Sequence, residues 1–445
     1  MANLPWTIRA LRPALAAGTV SPAGLAEEAL ARSNRNAGRN TYLWQDAAFT
    51  RAEAARAAAM PTSTGGAFGD GRAALWGLPV SVKDCFDLAG APTTCGVRYY
   101  RDLHGIAAHD SWLVAELRAA GAALTGKTHL HALAYGITGE NPEFGDCTQP
   151  NNSGALTGGS SSGAVASVQE GSAVAAIGTD TGGSVRVPAA LCGLAGYRST
   201  LGRGNWRGAA HLAESFDTLG WLFRSLEDAP LLAAPFAPAS PLPVRPFTRF
   251  AYLADSFLDD CEPAILACFH GVVRELEALG LESRVLDPAF WRDSRDIFAP
   301  IQASEAAHLH AGRFENFETA IRERLQWGAS LTAEELAALR KRHAEFCARM
   351  DELFAAHELI LLPCAPVARL EKGADHSQTR ARLLRYTSPF SLAGVPVVAI
   401  PCAAGGMQLA APQHADESLL ALAAQIGRMR RPVEVSEERT PSIHP

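Results

Sequence analysis

The apolar positions of the chain alternate between the spacing of amphipathic helices and that of short buried strands. Residues 6–60 follow a helical spacing, and Ser21 followed by Pro22 is typical of a helix cap and its first turn. The run LWGLPVSVK at 75–83 is short and apolar. It therefore indicates a buried strand that ends near its lysine.

The same alternation continues towards the C-terminus. Residues 110–129 predict a helix, a stop at Gly121 and a strand towards Gly126. Further helices are expected over 164–171, 268–280 and about 300–357, with strands over 173–178 and from 359. Helices that alternate with apolar strands favour an α/β architecture with a buried sheet.

A proline-rich segment at 229–247 interrupts this alternation. It contains no glycine, so it is expected to be semi-rigid rather than flexible. The segment either divides two domains or crosses the surface of one domain.

Composition and charge exclude several classes of function. Hydrophobic residues make up 48% and charged residues 19% of the 445 residues, which is enough apolar material for a large core. The net charge of -6 is mild and no basic stripe is present, so nucleic acids and anionic membranes are not expected partners. The apolar stretch at 387–414 is broken by Gly394, Pro396 and Pro401, which favours buried strands and turns over a membrane helix.

The cysteines and the N-terminus favour a cytoplasmic protein. Nine cysteines are scattered without a C-x-x-C pair, which indicates reduced thiols rather than a disulfide framework. Arg9 and Arg12 interrupt the apolar character that a signal peptide would need. We therefore expect a cytoplasmic location.

The candidate chemistry lies in two Gly-Gly-Ser steps, at 158–160 and 182–184. No lysine follows either step as in a phosphate-binding loop, and the apolar residues between the steps argue against a flexible linker. The G-x-S-x-G motif of histidine-assisted serine hydrolases is absent, and no histidine stands out as a base. The histidine pairs at 129/131 and 308/310 have no further ligand at a metal-binding spacing, so no metal site is expected.

These eliminations leave a serine that is activated by a lysine. Ser184 follows two glycines, whose unobstructed backbone N–H groups can approach a substrate oxygen closely. Lys83 lies in an apolar run, and burial can lower the pKa of a lysine from about 10.4 to about 7, as a neutral base requires. Ser160, in the first step, could relay a proton between them. The hypothesis is a catalytic set of Ser184, Ser160 and Lys83.

The same residues resemble a known family. Lys83, the GGSS segment from Gly158 and the segment GTDTGGSVRVP from Gly178 together are similar to the amidase signature family. The separation of Ser160 from Ser184 also resembles the spacing in that family. Other segments that look familial are GLPVSVKDCFDLAGAPTTCG at 77–96, ESFDTLGW at 214–221 and LAGVPVVAIP at 392–401. The resemblance therefore spans most of the chain.

The resemblance implies a role for each of these residues. Ser184 would be the nucleophile, Ser160 the bridging serine with a cis peptide bond, and Lys83 the base. The backbone amides of an oxyanion hole would come from Thr181, Gly182, Gly183 and Ser184. The substrate pocket would be lined by Tyr135, Gly136, Thr138 and Ser161. Asp180 and Arg186 are expected to hold the glycine loop by a salt bridge.

The family resemblance also implies a fold. Members of the family share a single large α/β/α domain, with a central mixed β-sheet covered by helices on both faces. Residues 1–445 are therefore expected to form one domain, with a catalytic core at about 75–225. The proline-rich segment 229–247 would then be a surface crossover within that domain.

The implied function is hydrolysis of the carboxamide C–N bond of a small molecule through an acyl-enzyme on Ser184, without a metal or another cofactor. Two alternatives stay open. One is a glutaminase-type subunit of an amidotransferase, which would pass ammonia to a partner, and the other is a non-catalytic binding protein on the same fold. Small aliphatic amides, arylacetamides and urea-like compounds are all candidate substrates, and a homodimer is the candidate assembly.

Overall fold

The structure, a computed structural model, describes residues 4–61, 73–236 and 242–431. Its helices are α1 (Ile8–Ala16), α2 (Pro22–Arg35), α3 (Ala47–Ala58), α4 (Arg98–His104), α5 (Trp112–Ala119), α6 (Ser162–Glu170), α7 (Arg186–Leu191), α8 (Pro263–Ala278), α9 (Ser294–Leu309), α10 (Thr319–Ser330), α11 (Ala333–His357), α12 (Thr379–Ala393) and α13 (Asp416–Met429). Its strands are β1 (Tyr42–Trp44), β2 (Pro79–Lys83), β3 (Ala123–Thr128), β4 (Thr148–Gln149), β5 (Asn152–Leu156), β6 (Ala175–Thr179), β7 (Ala195–Arg198), β8 (Leu219–Phe223), β9 (Arg249–Leu253), β10 (Glu282–Leu286), β11 (Leu359–Pro363), β12 (Leu370–Glu371), β13 (Val397–Pro401) and β14 (Gly406–Ala410).

Eleven strands of the described residues form one mixed sheet, in the order β1-β3-β2-β6-β8-β7-β13-β14-β11-β9-β10. Within it β3, β2 and β6 run parallel, and Val82 pairs with both Lys127 and Ile177. Every residue of these three strands is buried, as expected for parallel strands with both faces covered. The carboxyl ends of β2 and β6 therefore meet at one edge of the sheet, where α/β proteins commonly bind ligands.

The predicted fold class is confirmed, because a large central mixed sheet is flanked by helices. The strand expected to end near Lys83 is β2, and the run at 173–178 supplies β6. Helix α2 follows Ser21, whose Oγ accepts a hydrogen bond from the N–H of Gly24 at 3.1 Å. None of the helices within the described ranges combines the length and the apolar character that crossing a bilayer requires.

Two local predictions were wrong. Residues 6–60 are not helical throughout, because β1 pairs antiparallel with β3 at the edge of the sheet, and this tertiary pairing overrides the local pattern. The stretch 387–414 is not only strands and turns, because its first residues complete α12. In α12 the hydroxyl of Ser388 donates to a carbonyl oxygen of the preceding turn, and that of Thr387 donates to Gly182 O, each at 2.6 Å. These bonds allow polar residues to occupy a buried helix.

The proline-rich segment 229–247 has two parts. Ala229 and Leu232 are buried in a short 3-10 helix, whereas residues 242–246 are exposed. Residues 237–241 lie outside the described part of the chain. The predicted surface crossover therefore fits only the later part. Strands from both sides of the segment join the same sheet, and the single domain over 1–445 stays a prediction.

Candidate active site

Lys83, the last residue of β2, is completely buried. Its Nζ lies 2.8 Å from Ser160 Oγ and 2.6 Å from Thr179 Oγ1, and it forms no ion pair with a described carboxylate. Burial lowers the pKa of Lys83 to about 8. A substantial fraction of the amine is therefore neutral at mildly alkaline pH, which a general base requires.

The loop that precedes α6 brings Ser160 to this lysine. The peptide bond between Gly159 and Ser160 is cis. The N–H of Gly159 donates to Ile137 O at 2.8 Å, and Ser160 O accepts from the N–H of His131 at 3.2 Å. A Cβ at position 159 would lie 3.0 Å from the backbone nitrogen of Gly139. The close approach of these two loops therefore favours glycine at 159.

Ser184 lies in the second Gly-Gly-Ser step, between β6 and α7. Its carbonyl oxygen accepts a hydrogen bond from the N–H of Ser161 at 3.2 Å, which ties the two steps together. Its Oγ makes no hydrogen bond with another described residue, and Ser184 lines a narrow neck beside Tyr135 and Leu384. The structure thus brings the two predicted serines and the predicted lysine into one site.

The backbone around Ser184 offers three N–H groups rather than the four predicted. Those of Thr181, Gly182 and Ser184 make no hydrogen bond within the described residues. The N–H of Gly183 instead donates to Asp180 Oδ1 at 2.8 Å. Gly183 therefore does not fit the predicted oxyanion-hole role, because a carboxylate already occupies its donor.

The predicted ion pair between Asp180 and Arg186 is present and completely buried, with Arg186 Nη2 2.9 Å from Asp180 Oδ1. Arg198, which was not predicted, places Nη1 3.0 Å from the same oxygen. Burial works against the charge of Asp180, but the two guanidinium groups, that of Arg186 foremost, lower its pKa below the ordinary value. Arg186 also donates to Gln408 Oε1 at 2.8 Å and so fastens the loop to β14.

Sequence reasoning missed two residues that organise the site. Thr179 ends β6 and accepts a hydrogen bond from Lys83, as described above. Asp217 accepts one from Thr181 Oγ1 at 2.6 Å and thereby holds the loop next to Ser184. The segment ESFDTLGW contains Asp217 and resembles the family, but its contact with Thr181 joins two distant parts of the chain. The parallel pairing of β2 with β6 could have predicted that Thr179 lies beside Lys83, because each residue is the last of its strand.

The neck beside Ser184 adjoins a larger cavity of about 830 Å³. The residues that line both are Gly136, Ile137, Arg380 and Leu384. Among the predicted pocket residues, Tyr135 lines the neck, Thr138 lines the cavity, and Gly136 lines both. A Cβ at position 136 would lie 2.0 Å from the His131 ring, so the wall at this point requires glycine.

Ser161 lines neither the neck nor the larger cavity. Its Oγ donates to Thr179 O at 3.2 Å and accepts from the N–H of Thr179 at 3.3 Å. The predicted substrate-binding role therefore does not fit Ser161, because its hydroxyl holds the end of β6 instead.

Hydrogen bonds on both ring nitrogens hold His129 in the fold near the site. His129 Nδ1 lies 2.8 Å from Ser162 Oγ, and its Nε2 lies 2.9 Å from Gly145 O. Burial lowers the pKa of His129 to about 4, so the ring is neutral. Across the described ranges, no three His, Cys, Asp or Glu side chains are grouped so that they could hold a metal ion.

Comparisons with known proteins cover nearly the whole chain. A family model described as amidase matches residues 29–420. The indoleacetamide hydrolase of Pseudomonas savastanoi is 31% identical over an alignment 423 residues long, gaps included, with 89% of this chain and 89% of that one covered. The glutamyl-tRNA(Gln) amidotransferase subunit of Chromohalobacter salexigens is 29% identical, over 94% of this chain and 95% of that one. The crystal structure of an amidase is similar with a TM-score of 0.84 and 28% identity, covering 95% of this chain and 99% of that one.

Proposed function

The chain belongs to the amidase family, and we propose that it hydrolyses the carboxamide C–N bond of a small molecule through an ester formed on Ser184. The observation that carries this proposal is the environment of Lys83. A completely buried amine donates to Ser160 Oγ at 2.8 Å and has no described carboxylate beside it, in the same site as Ser184. A lysine in these surroundings is suited to accept a proton.

In the proposed first step, Ser184 Oγ attacks the carbonyl carbon of the amide. Its proton passes to Ser160 Oγ, while Ser160 passes its own proton to the neutral Nζ of Lys83. The C–N bond then breaks, and the proton returns by the same route to the leaving nitrogen. Water attacks the resulting ester with the same proton transfers, which releases the carboxylic acid and restores Ser184.

The backbone N–H groups of Thr181, Gly182 and Ser184 are the proposed donors to the tetrahedral oxyanion. Where one such donor has been removed from a serine hydrolase, the barrier has risen by about 3 kcal/mol. Asp217 and Asp180 are positioning residues in this scheme, since they bond to the Thr181 hydroxyl and to the backbone of the loop. They would keep the donors oriented before substrate arrives.

The experiment that tests the proposal is an ammonia-release screen with aliphatic amides, arylacetamides and ureides. Ser184→Ala is the blank, and Ser153→Ala, at an exposed position of β5, is the matched control. We expect at least one compound to be hydrolysed by the wild type and by the control. Full turnover by Ser184→Ala would overturn the proposal.

A second candidate is the glutaminase subunit of an amidotransferase. The specific observation in its favour is the match, along 94% of this chain, to the glutamyl-tRNA(Gln) amidotransferase protein named above. Such a subunit would act on glutamine and deliver ammonia to a partner. Co-purification with a second subunit, together with no hydrolysis of free amides by the chain alone, would favour this candidate.

A third candidate, from a different class, is a binding protein on the same fold without catalysis. A covalent adduct of a serine-reactive phosphonate at Ser184 would exclude it. The steps proposed above require no metal or other cofactor. The expected homodimer stays a prediction, which light scattering of the purified chain can test.

A further inference from the structure

Two arginines that line the larger cavity form no ion pair with a carboxylate in the described ranges. Arg380, in α12, lines both the neck beside Ser184 and the larger cavity, and its Nη2 donates to Gln302 Oε1 at 2.8 Å. Arg324, in α10, lines the cavity and donates to the carbonyl oxygen of Tyr135. Neither guanidinium forms an ion pair with any carboxylate in the described part of the chain. Both side chains are therefore held by neutral oxygens alone.

The two guanidinium groups lie close to one aromatic ring. The central carbons of Arg324 and Arg380 lie 4.6 and 5.5 Å from the centroid of the Tyr135 ring. Burial, and then the charge of Arg324, lower the pKa of Arg380 to about 10, so it stays charged at pH 7. Two half-buried like charges that form no ion pair with a described carboxylate are unfavourable. An anionic ligand would relieve that cost.

Among the other charged groups that line the cavity, only Arg295 forms an ion pair with a described residue. Arg295 pairs with Asp296 at 3.1 Å. The acidic lining residues are Glu140, Asp146, Glu318 and Asp375. They accept hydrogen bonds from Thr138 Oγ1 and from the N–H groups of Asn141, Ala320 and Ser377, respectively. Arg380 and Arg324 are thus the lining cations that remain without an acidic partner among the described residues.

We propose that Arg380, assisted by Arg324, binds a carboxylate of the substrate, so that the amide hydrolysed at Ser184 is anionic. This inference rests on the proposed amide hydrolysis. A guanidinium presents a planar set of N–H donors that matches the two oxygens of a carboxylate. Because Arg380 and Ser184 line the same neck, one short molecule can contact both. Binding the carboxylate would hold the scissile carbonyl near Ser184 and raise kcat/KM.

The test compares pairs of amides in which a methyl group replaces the carboxylate. Succinamate, glutaramate and 4-carboxyphenylacetamide carry the carboxylate on the acyl side, and their neutral partners are butyramide, valeramide and 4-methylphenylacetamide. N-acetylglycine carries it on the amine side, with N-ethylacetamide as its partner. We expect kcat/KM for at least one anionic amide to exceed that of its neutral partner by about 30-fold or more.

Substitutions of arginine test whether the preference for anionic amides depends on Arg380. Arg380→Gln should bring the anionic-to-neutral ratio of kcat/KM towards one, and Arg380→Lys should keep part of it. The matched control is Arg382→Gln, on the same helix, because Arg382 pairs with Asp260 at 3.2 Å and does not line the cavity. Arg382→Gln should leave the ratio unchanged. A ratio that Arg380→Gln and Arg382→Gln alter equally would contradict the proposal.

A binding measurement separates this inference from the proposed function. Ser184→Ala protein, with and without Arg380→Gln, is titrated calorimetrically with succinate, glutarate and 4-carboxyphenylacetate. Binding that requires Arg380 supports the carboxylate site even if no amide in the panel is cleaved. Equal hydrolysis of charged and neutral partners, abolished by Ser184→Ala, would overturn the inference and leave the amidase proposal standing. The absence of Arg380-dependent binding by all three acids would overturn it as well.

Discussion

Lys83 and Lys127 are both completely buried, and they lie on the neighbouring parallel strands β2 and β3. The Nζ of Lys127 lies 2.7 Å from Asp84 Oδ1 and also donates to Pro92 O and Thr93 Oγ1, at 2.8 and 2.9 Å. The Nζ of Lys83 has only two hydroxyl partners, as described above. One lysine is part of a buried ion pair, and the other forms no ion pair with a carboxylate among the described residues.

The difference shows what makes a buried lysine a base. A carboxylate partner offsets the cost of burying the ammonium group, so that Lys127 is a structural cation. Hydroxyl oxygens offset much less of this cost, and burial lowers the pKa of Lys83 to about 8. The interpretation predicts that replacement by methionine removes activity at Lys83 but lowers stability at Lys127. The same effect at both lysines would contradict it.

The largest expected effect is the loss of catalysis on Lys83→Met. Methionine has a similar length but cannot accept a proton, so kcat/KM should fall by about 1,000-fold or more. The measurement is hydrolysis of any amide identified by the screen, with circular dichroism to show that the variant is folded. Lys341→Met, at an exposed lysine, is the control and should retain wild-type activity. Activity of the folded Lys83→Met variant within tenfold of wild type would remove Lys83 from the mechanism.

The second effect concerns stability. Lys127→Met leaves the carboxylate of Asp84 buried without its cation, which should lower the free energy of unfolding by about 3–5 kcal/mol. Urea denaturation measures the loss, and adding Asp84→Asn should restore part of it by removing the unpaired charge. A loss of unfolding free energy below about 1 kcal/mol would show that the ion pair does not explain the difference between Lys127 and Lys83.

A third effect links the protonation of Lys83 to folding. Its pKa falls from 10.5 to about 8 on folding, so the unfolded chain binds more protons at this site between these pH values. Wild type should therefore gain about 3 kcal/mol of stability relative to Lys83→Met as the pH rises from below 8 to above 10.5. Parallel urea titrations over this range measure the difference. A stability difference that does not depend on pH would contradict the lowered pKa.

The smallest effect is expected from Thr179→Val, which removes one of the two hydroxyl partners of Lys83 Nζ and nearly preserves the volume of the side chain at 179. The lost hydrogen bond should reduce kcat/KM by about tenfold. Because the bond stabilises the charged ammonium, its loss should also move the pKa of Lys83, and the rising limb of the pH–rate profile, to lower pH. A decrease in rate without movement of the limb would assign Thr179 a structural role only.

The contrast between the two lysines also shows which features a sequence can predict. Lys83 lies in an apolar strand and Ser184 follows a pair of glycines, and both patterns can be recognised locally. The family resemblance then predicted that the two residues belong to one site. The environment of Lys127 depends on Asp84 from another strand end, which no local pattern specifies. Arg380 approaches Ser184 only through the packing of α12, far along the chain. The unavailability of the Gly183 N–H likewise depends on the orientation of one carboxylate, that of Asp180.

The central claim is that a neutral Lys83 activates Ser184, and it can be tested without knowledge of the substrate. The measurement is the rate of covalent labelling of Ser184 by a serine-reactive phosphonate between pH 6 and 11. The account predicts a rate that rises with pH with an apparent pKa of about 8, and a rate in Lys83→Met that is far lower and lacks this rise. An inflection near 10.5, or equal labelling of the wild type and Lys83→Met, would contradict it.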